Sequence, residues 1–311
     1  MTSAFTFPGQ GSQAVGMGQA LADNFPAARA VFEEVDEALS QKLTTIMWEG
    51  PDEAITLTEN AQPALMAVSM AVVRVLEQEK GLDLAAQATF VAGHSLGEYS
   101  ALAAAGVFSI ADTARLLKTR GQAMQQAVPV GQGAMAALLG LEFSDADAVA
   151  KAAAEDEVCQ AANDNAPGQV VISGSAGAVE RAVELAKEKG ARRAMLLPVS
   201  APFHCALMQP AADVMAGALA DVIMNAPVVP VMANVSASPL TDPAEIRDSL
   251  VQQVTGMVRW RECVEAMAAG GVTTLYELGA GKVLSGLAKR INRELTASAI
   301  GAPDDIAAFK A

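Results

Sequence analysis

Cysteine is scarce in this chain, and so is histidine. The three cysteines, Cys159, Cys205 and Cys263, lie far apart, and none belongs to a Cys-x-x-Cys pair. An odd, scattered set excludes a disulfide framework and a zinc site as organising devices, so no metal is expected. Such usage fits a reducing, cytoplasmic setting. No apolar run is long enough to cross a bilayer. The opening stretch, Met1-Thr2-Ser3-Ala4-Phe5, lacks a basic segment followed by an apolar one, so no signal peptide is expected. Positive charge is short as well: Lys and Arg number 21 against 35 Asp and Glu, a net charge of −14. That balance argues against nucleic acid, whose binding needs basic neutralisation of phosphates. It also requires any acidic partner to be met by a local basic patch, since the overall field repels it.

What is present is a globular composition, 52% hydrophobic and 18% charged. The chain can bury a large core and form more than one subdomain. It is organised around Val91-Ala92-Gly93-His94-Ser95-Leu96-Gly97-Glu98. The apolar run 88–92 reads as a buried strand. The stretch 98–105 reads as a helix ending at Gly106. Strand, Gly-x-Ser-x-Gly, helix is the context of a nucleophile elbow. Gly93 and Gly97 omit Cβ atoms that would clash in so sharp a turn, and Ser95 is left at its tip. The Leu96 N–H, at the helix start, lacks an intrahelical partner and can point at an oxyanion. Only two histidines exist. His94 adjoins Ser95 and projects elsewhere, which leaves His204 as the base. No carboxylate stands out as a third member.

Taken in order, 4–7 reads as a first strand running into the Gly-rich loop 8–13. Its spacing matches neither a P-loop nor a dinucleotide fingerprint. It offers a second oxyanion donor or is a plain turn. Residues 26–48 read as one or two helices with Phe32, Val35, Leu39, Leu43 and Trp48 buried. Thr58–Ala61 offers caps before an amphipathic helix over 63–79. Ser109 and Asp112 open a further helix as in a capping box. That helix runs to about Ala127 and carries Arg120 and Gly121 on one face. A glycine inside a helix costs about 1 kcal/mol relative to Ala, so Gly121 predicts a close approach there. Arg120 beside it either binds a substrate carboxylate or forms a structural ion pair.

Residues 133–141, 144–154, 158–162, 169–173, 176–189 and 194–199 read as strand, helix, strand, strand, helix, strand, with a loop over 163–168. This βαββαβ order is ferredoxin-like. The expected fold is α/β: a hydrolase-like parallel-sheet large subdomain, 1–127 and 199–311, with an inserted ferredoxin-like small subdomain, 128–198. Parallel-sheet patterning resumes at Val199–Cys205, which brings His204 to the start of a helix over 206–224. A strand at 228–232, helices near 243–254 and 259–269, a strand at 273–278 and a final helix over 283–294 complete the chain. Lys289, Arg290 and Arg293 near that helix's end form one basic cluster; Lys187, Lys189, Arg192 and Arg193 form another. Each is a solvated face or the patch an acidic partner needs. Spacing alone gives an acyl-transfer serine enzyme and does not separate a hydrolase from a transferase.

Further segments then combine: Phe7-Pro8-Gly9-Gln10-Gly11-Ser12-Gln13, Thr58-Glu59-Asn60-Ala61-Gln62-Pro63-Ala64, Gly93–Glu98, Arg120-Gly121-x-x-Met124, Asn165-Ala166-Pro167-Gly168-Gln169, Phe203-His204 and Gly279-Ala280-Gly281-Lys282-Val283-Leu284. In this order, over nearly the full chain, they resemble the malonyl-CoA:acyl carrier protein transacylase family of type II fatty acid synthesis. The resemblance implies that Ser95 takes malonyl from malonyl-CoA as an ester, with His204 as base. The group then passes to the phosphopantetheine thiol of acyl carrier protein in a ping-pong course. It implies an oxyanion hole from the Gln10 and Leu96 amides and Arg120 on the malonyl carboxylate. Met124, Asn165 and Phe203 belong to the substrate site, and the bulk of Phe203 goes with malonyl rather than methylmalonyl. Gln253 matches the position whose carbonyl orients the histidine of a Ser–His dyad. No tightly bound cofactor is implied, malonyl-CoA being a substrate, and no nucleic acid or membrane partner. A cytoplasmic monomer is expected. Acyl carrier protein is acidic, so Lys289, Arg290, Arg192 and Arg193 are the candidate docking residues. The rival classes are a thioesterase with the same dyad and a carrier-docking module without activity. Arg120, which a plain esterase does not need, speaks against the first; intact Ser95, His204 and Arg120 speak against the second.

Overall fold

Apolar runs rich in Val, Ala and Phe become strands, and a computed structural model describes how they assemble over residues 2–199 and 201–310. Met1 of the opening stretch and Ser200 of the Val199–Cys205 stretch lie outside the described residues, as does Ala311. The strands are β1 (Ser3–Phe7), β2 (Ala88–Gly93), β3 (Gly133–Leu139), β4 (Cys159–Ala166), β5 (Gln169–Ser175), β6 (Arg193–Leu196), β7 (Val231–Met232), β8 (Pro239–Leu240), β9 (Thr274–Leu278) and β10 (Thr296–Ile300). The larger sheet has the order β10-β9-β1-β2-β7-β8. Its pairs are parallel except β7 with β8. Parallel strands need crossovers over the sheet faces, and helices supply them. The helix Thr58–Lys80 is buried almost continuously from Thr58 to Leu76, packed between the helices Pro26–Leu39 and Ile110–Gln126. Gly121 is a point of close approach between the last of these and the helix Thr58–Lys80. A Cβ there would stand 2.5 Å from Glu59 Cα and 2.7 Å from the Thr58 carbonyl oxygen.

The second sheet is antiparallel, with the order β4-β5-β3-β6. The helices Phe143–Ala154 and Ala176–Glu188 cover one face, burying Ala136, Leu138, Val170 and Ile172 beneath them. Both the α/β class and the ferredoxin-like strand order expected from the sequence are present. No helix among the described residues is long and apolar enough to cross a membrane.

Several local expectations are corrected. The loop over 163–168 shrinks to a turn at Pro167-Gly168, because Asn163 and Asp164 pair with Val171 and Val170 across the sheet. The helix expected from Pro63 starts at Thr58, so Thr58–Ala61 form its first turn rather than its caps. Pro63 lies inside that helix and removes one N–H from it. The strand over 194–199 is Arg193–Leu196, and residues 197–199 and 201–204 belong to no helix or strand. The helix over 206–224 is a 3-10 turn, Ala206–Met208, then Gln209–Ala220. The helix over 283–294, expected to be the last, is Val283–Ile291, which leaves Arg293 beyond it. Strand β10 and the helix Pro303–Ala308 follow. Small residues on a sheet edge give β10 little hydrophobic signal, and only its pairing with β9 defines it.

Candidate active site

The C-terminal ends of β1, β2 and β7 meet at one place, where open α/β sheets bind ligands. Phe7 stands opposite Gly93 in the β1–β2 register. The chain turns sharply after Gly93, and Ser95 takes φ 53° and ψ −112°. A positive φ on a non-glycine residue is a strained state that surroundings must hold. Two features hold it. A Cβ on Gly93 would fall 1.8 Å from the Gly97 oxygen, and one on Gly97 would fall 2.2 Å from the Phe7 oxygen. Only glycine fits either position. Asn234, just past β7, then staples the turn. Its Oδ1 accepts from the Ser95 N–H at 2.7 Å, and its Nδ2 donates to the Gly93 carbonyl at 2.7 Å. Nothing in the sequence points to Asn234, since a lone Asn after a strand reads as a turn residue; the strand over 228–232 is itself only Val231–Met232.

Ser95 Oγ lies 2.7 Å from His204 Nε2. On the far side of the ring, Nδ1 is 2.9 Å from the Gln253 carbonyl and 3.1 Å from that of Gly256. Carbonyl oxygens only accept, so Nδ1 carries the proton and donates it. Nε2 then offers its lone pair to the serine hydroxyl. The tautomer needed for a general base is set without a carboxylate. Burial, then the nearby Arg120 charge, bring the His204 pKa down to about 3, which keeps the ring neutral. His94 is engaged elsewhere. Its Nε2 is 2.8 Å from Asn165 Oδ1, and its ring tilts against Trp260.

Arg120 is 1% exposed. Its Nη1 donates to Gln62 Oε1 at 2.7 Å, and its Nη2 donates to Gln253 Oε1 at 2.9 Å and to Ser95 Oγ at 3.2 Å. The guanidinium carbon sits 5.7 Å from the centre of the Tyr99 ring. Every one of these partners is neutral, so the ion-pair reading left open by the sequence finds no support in its contacts. Gln62 received no role from the sequence, although it lies inside the Thr58–Ala64 segment. Its Nε2 donates to Met124 Sδ at 3.7 Å.

A cavity of about 800 Å³ opens over these groups. Gln10, Ser95, Leu96, Arg120, Met124, Phe203 and His204 line it from the larger sheet's side, and Met135, Asn163, Asn165 and Val171 from the smaller sheet. Among the described residues, the N–H groups of Gln10 and Leu96 find no protein acceptor. A separate cleft of about 290 Å³ is lined by Arg192, Lys289, Arg290 and Arg293. Arg192 of the second basic cluster thus joins the three residues of the first, while Lys187, Lys189 and Arg193 lie outside the cleft lining.

Glu98 is buried just behind the elbow. Burial pushes its carboxyl up to about 7, against hydrogen bonds from the Gln253 side chain and the Asn234 N–H that pull it down. Its ordinary value is 4.5. Between these limits the folded state binds more protons than the unfolded chain. The stability this group contributes is therefore full below pH 4.5 and is lost as pH rises through 7. His204 has the opposite sign: its contribution is full above its ordinary 6.5 and falls away toward 3. Replacing Glu98 by glutamine removes the first effect alone. Melting curves should show E98Q gaining on the wild type as pH rises from about 5 to about 8.

Residues 4–296 match the family described as the acyl transferase domain. The malonyl CoA-acyl carrier protein transacylase of Escherichia coli strain K12 is 50% identical over 305 residues, covering 98% of this chain and 97% of that protein. The crystal structure of acyl-carrier-protein-S-malonyltransferase from Bartonella henselae superposes with a TM-score of 0.97 at 62% identity, covering 99% of this chain and 98% of that one. A malonyl-transacylase solved in complex with its type II PKS acyl-carrier protein superposes with a TM-score of 0.95 at 42% identity, covering 99% and 98%. An elbow serine, its histidine and a family match over almost the whole length agree, and the chain belongs to the acyl transferase domain family.

Proposed function

We propose that this chain moves a malonyl group from malonyl-CoA to the phosphopantetheine thiol of acyl carrier protein, through an ester on Ser95, and so supplies malonyl-carrier for fatty acid elongation. The observation that carries this reading is Arg120. It is a buried cation with neutral partners, and its Nη2 stands 3.2 Å from the nucleophile oxygen. A buried charge is costly until a counter-charge reaches it. Malonyl brings a carboxylate one methylene away from the thioester carbonyl. Pairing that carboxylate with Arg120 sets the carbonyl beside Ser95. Acetyl lacks the carboxylate and leaves the cation unpaired.

The steps follow from the hydrogen bonds. Ser95 Oγ attacks the thioester carbon as His204 Nε2 takes its proton. The oxyanion is met by the free N–H groups of Leu96 and Gln10. CoA leaves as a thiol with the proton from His204. The carrier thiol then repeats the sequence in reverse, giving its proton to His204 and returning the hydroxyl to Ser95. Arg120 also acts on the base. Its charge helps hold the His204 pKa down, so an acyl carboxylate that neutralises it makes His204 more basic as attack begins. Malonyl therefore gains in rate as well as in binding. Met124, Phe203 and Asn165 shape the acyl pocket, Asn165 through His94, and the Gln253 carbonyl orients His204.

The division into 1–127 with 199–311 and 128–198 places the catalytic groups on the first unit and a cavity wall on the second. The chain works as a cytoplasmic monomer with no tightly bound cofactor. The cleft of Arg192, Lys289 and Arg290, with Arg193 at its edge, receives the acidic carrier, which the net charge of −14 would otherwise repel. The relatives' names agree with this reaction. Its test is transfer from malonyl-CoA to holo-acyl carrier protein, with and without charge reversal at Arg192, Lys289 and Arg290. Malonyl should appear on the carrier, and reversal should raise the carrier KM by about tenfold or more. No malonyl-carrier product overturns the reading. An untouched carrier KM returns the cleft to a solvated face.

A further inference from the structure

Behind the elbow lie buried polar groups that the chemistry above does not use: Glu98, Asn234 and the side-chain amide of Gln253. They form one network. Glu98 Oε2 accepts from Gln253 Nε2 at 2.8 Å and from the Asn234 N–H at 3.0 Å. Gln253 Nε2 also donates to the Ser95 carbonyl at 3.0 Å. The other end of that amide, Oε1, accepts from Arg120 Nη2. Glu98 is 2% exposed and Gln253 is fully buried.

A glutamine amide has nearly the same shape either way round. Which way it points is decided by what its neighbours donate and accept. Around Nε2 stand a carboxylate oxygen, a main-chain carbonyl and Asn234 Oδ1, all acceptors. Facing Oε1 is a guanidinium, which only donates. Of the three acceptors, the Glu98 oxygen makes the shortest bond to Nε2, 2.8 Å. It settles the direction of the amide, and the amide oxygen in turn draws Arg120 Nη2 toward Ser95. Gln62 tethers only the other terminal nitrogen.

We propose that Glu98 is a positioning residue for acyl-group selection: acting through the Gln253 amide, it fixes the aim of the Arg120 guanidinium beside Ser95. This rests on the reading of Arg120 as the site of the acyl carboxylate. The nucleophile and base are held by other bonds. His204 leans on main-chain carbonyls of Gln253 and Gly256, and the Asn234 side chain makes its own bonds to Gly93 and Ser95, with Glu98 touching that residue only at its main-chain N–H. Loss of the Glu98 carboxylate is therefore felt at the cation before it is felt at the serine.

The test compares acylation by malonyl-CoA and by acetyl-CoA in the wild type, Glu98→Ala, Glu98→Asp and Glu98→Gln, with melting temperatures alongside. Glu98→Ala should raise the malonyl-CoA KM and lower the malonyl-to-acetyl preference by about tenfold or more, the worth of one charge-assisted hydrogen bond. Acylation by acetyl-CoA should stay close to wild type. Glu98→Gln keeps an oxygen acceptor at the same reach and should restore most of the preference. Glu98→Asp withdraws the carboxylate by a methylene and should lose it. If neither Glu98→Ala nor Glu98→Asp folds, Gln253→Leu, which keeps the main-chain carbonyl, should show the same loss. Equal losses with both donors, or an unchanged preference in a folded variant, overturn the proposal. A wild type without malonyl preference overturns the Arg120 reading instead.

Discussion

His204→Ala is expected to slow malonyl transfer by about 10³–10⁴-fold, the upper range for removal of a general base. The geometry leaves no substitute. The only other histidine, His94, lines the same cavity but has its Nε2 engaged with Asn165, whereas the ring nitrogen at hydrogen-bond distance from Ser95 Oγ is that of His204. Both half-reactions need the same nitrogen, first to accept the serine proton and then the carrier thiol proton. Acylation and discharge should therefore slow together in single-turnover experiments. One control separates chemistry from fold. His204 sits at φ 59°, a region that asparagine tolerates better than alanine. His204→Asn should therefore melt closer to the wild type and be as inactive as His204→Ala. An asparagine variant with substantial transfer would mean that another group serves as base.

The second large effect is at Arg120. Arg120→Ala should lower kcat/KM for malonyl-CoA by about 10²–10³-fold, since it removes one member of a buried charge pair. Acetyl-CoA should be used no worse and should gain, because the empty cation no longer opposes an uncharged group. The preference between donors then collapses. Arg120→Lys should not restore it. Lysine lacks the planar fork that lets one guanidinium hold Gln62, Gln253 and a carboxylate together. Steady-state kinetics with both donors decides this. A variant that loses both donors equally would return Arg120 to a structural role.

The sequence makes some of this site legible and hides the rest for physical reasons. The elbow is legible because a turn so tight admits only glycine at Gly93 and Gly97. The base is legible by elimination, since histidine is so rare here. Gly121 announces a close helix contact, and one exists. Arg120 stays ambiguous on spacing, because a buried arginine is defined by partners that come from distant segments, here Gln62 and Gln253. Gln253 is legible only through resemblance. Its main-chain carbonyl orients His204, and every residue has a carbonyl. Asn234 and Glu98 gave no usable signal, as their roles exist only once β2, β7 and the helix Pro243–Thr255 are brought together. The basic cleft is similar: Arg192 and Arg290 are ordinary surface residues until the fold sets them side by side. The polar run from Asn163 to Asp164 reads as loop, yet cross-strand pairing makes it β4.

The reaction stands most directly on a covalent intermediate at Ser95. Intact-mass measurement after brief mixing with malonyl-CoA, and separately with acetyl-CoA, tests it, with Ser95→Ala as control. The expected result is a malonyl adduct that is absent from the variant, much weaker for acetyl, and cleared by acyl carrier protein faster than by water. No adduct, or one that water clears just as fast with either donor, would contradict malonyl transfer and leave a hydrolase built on the same serine and histidine.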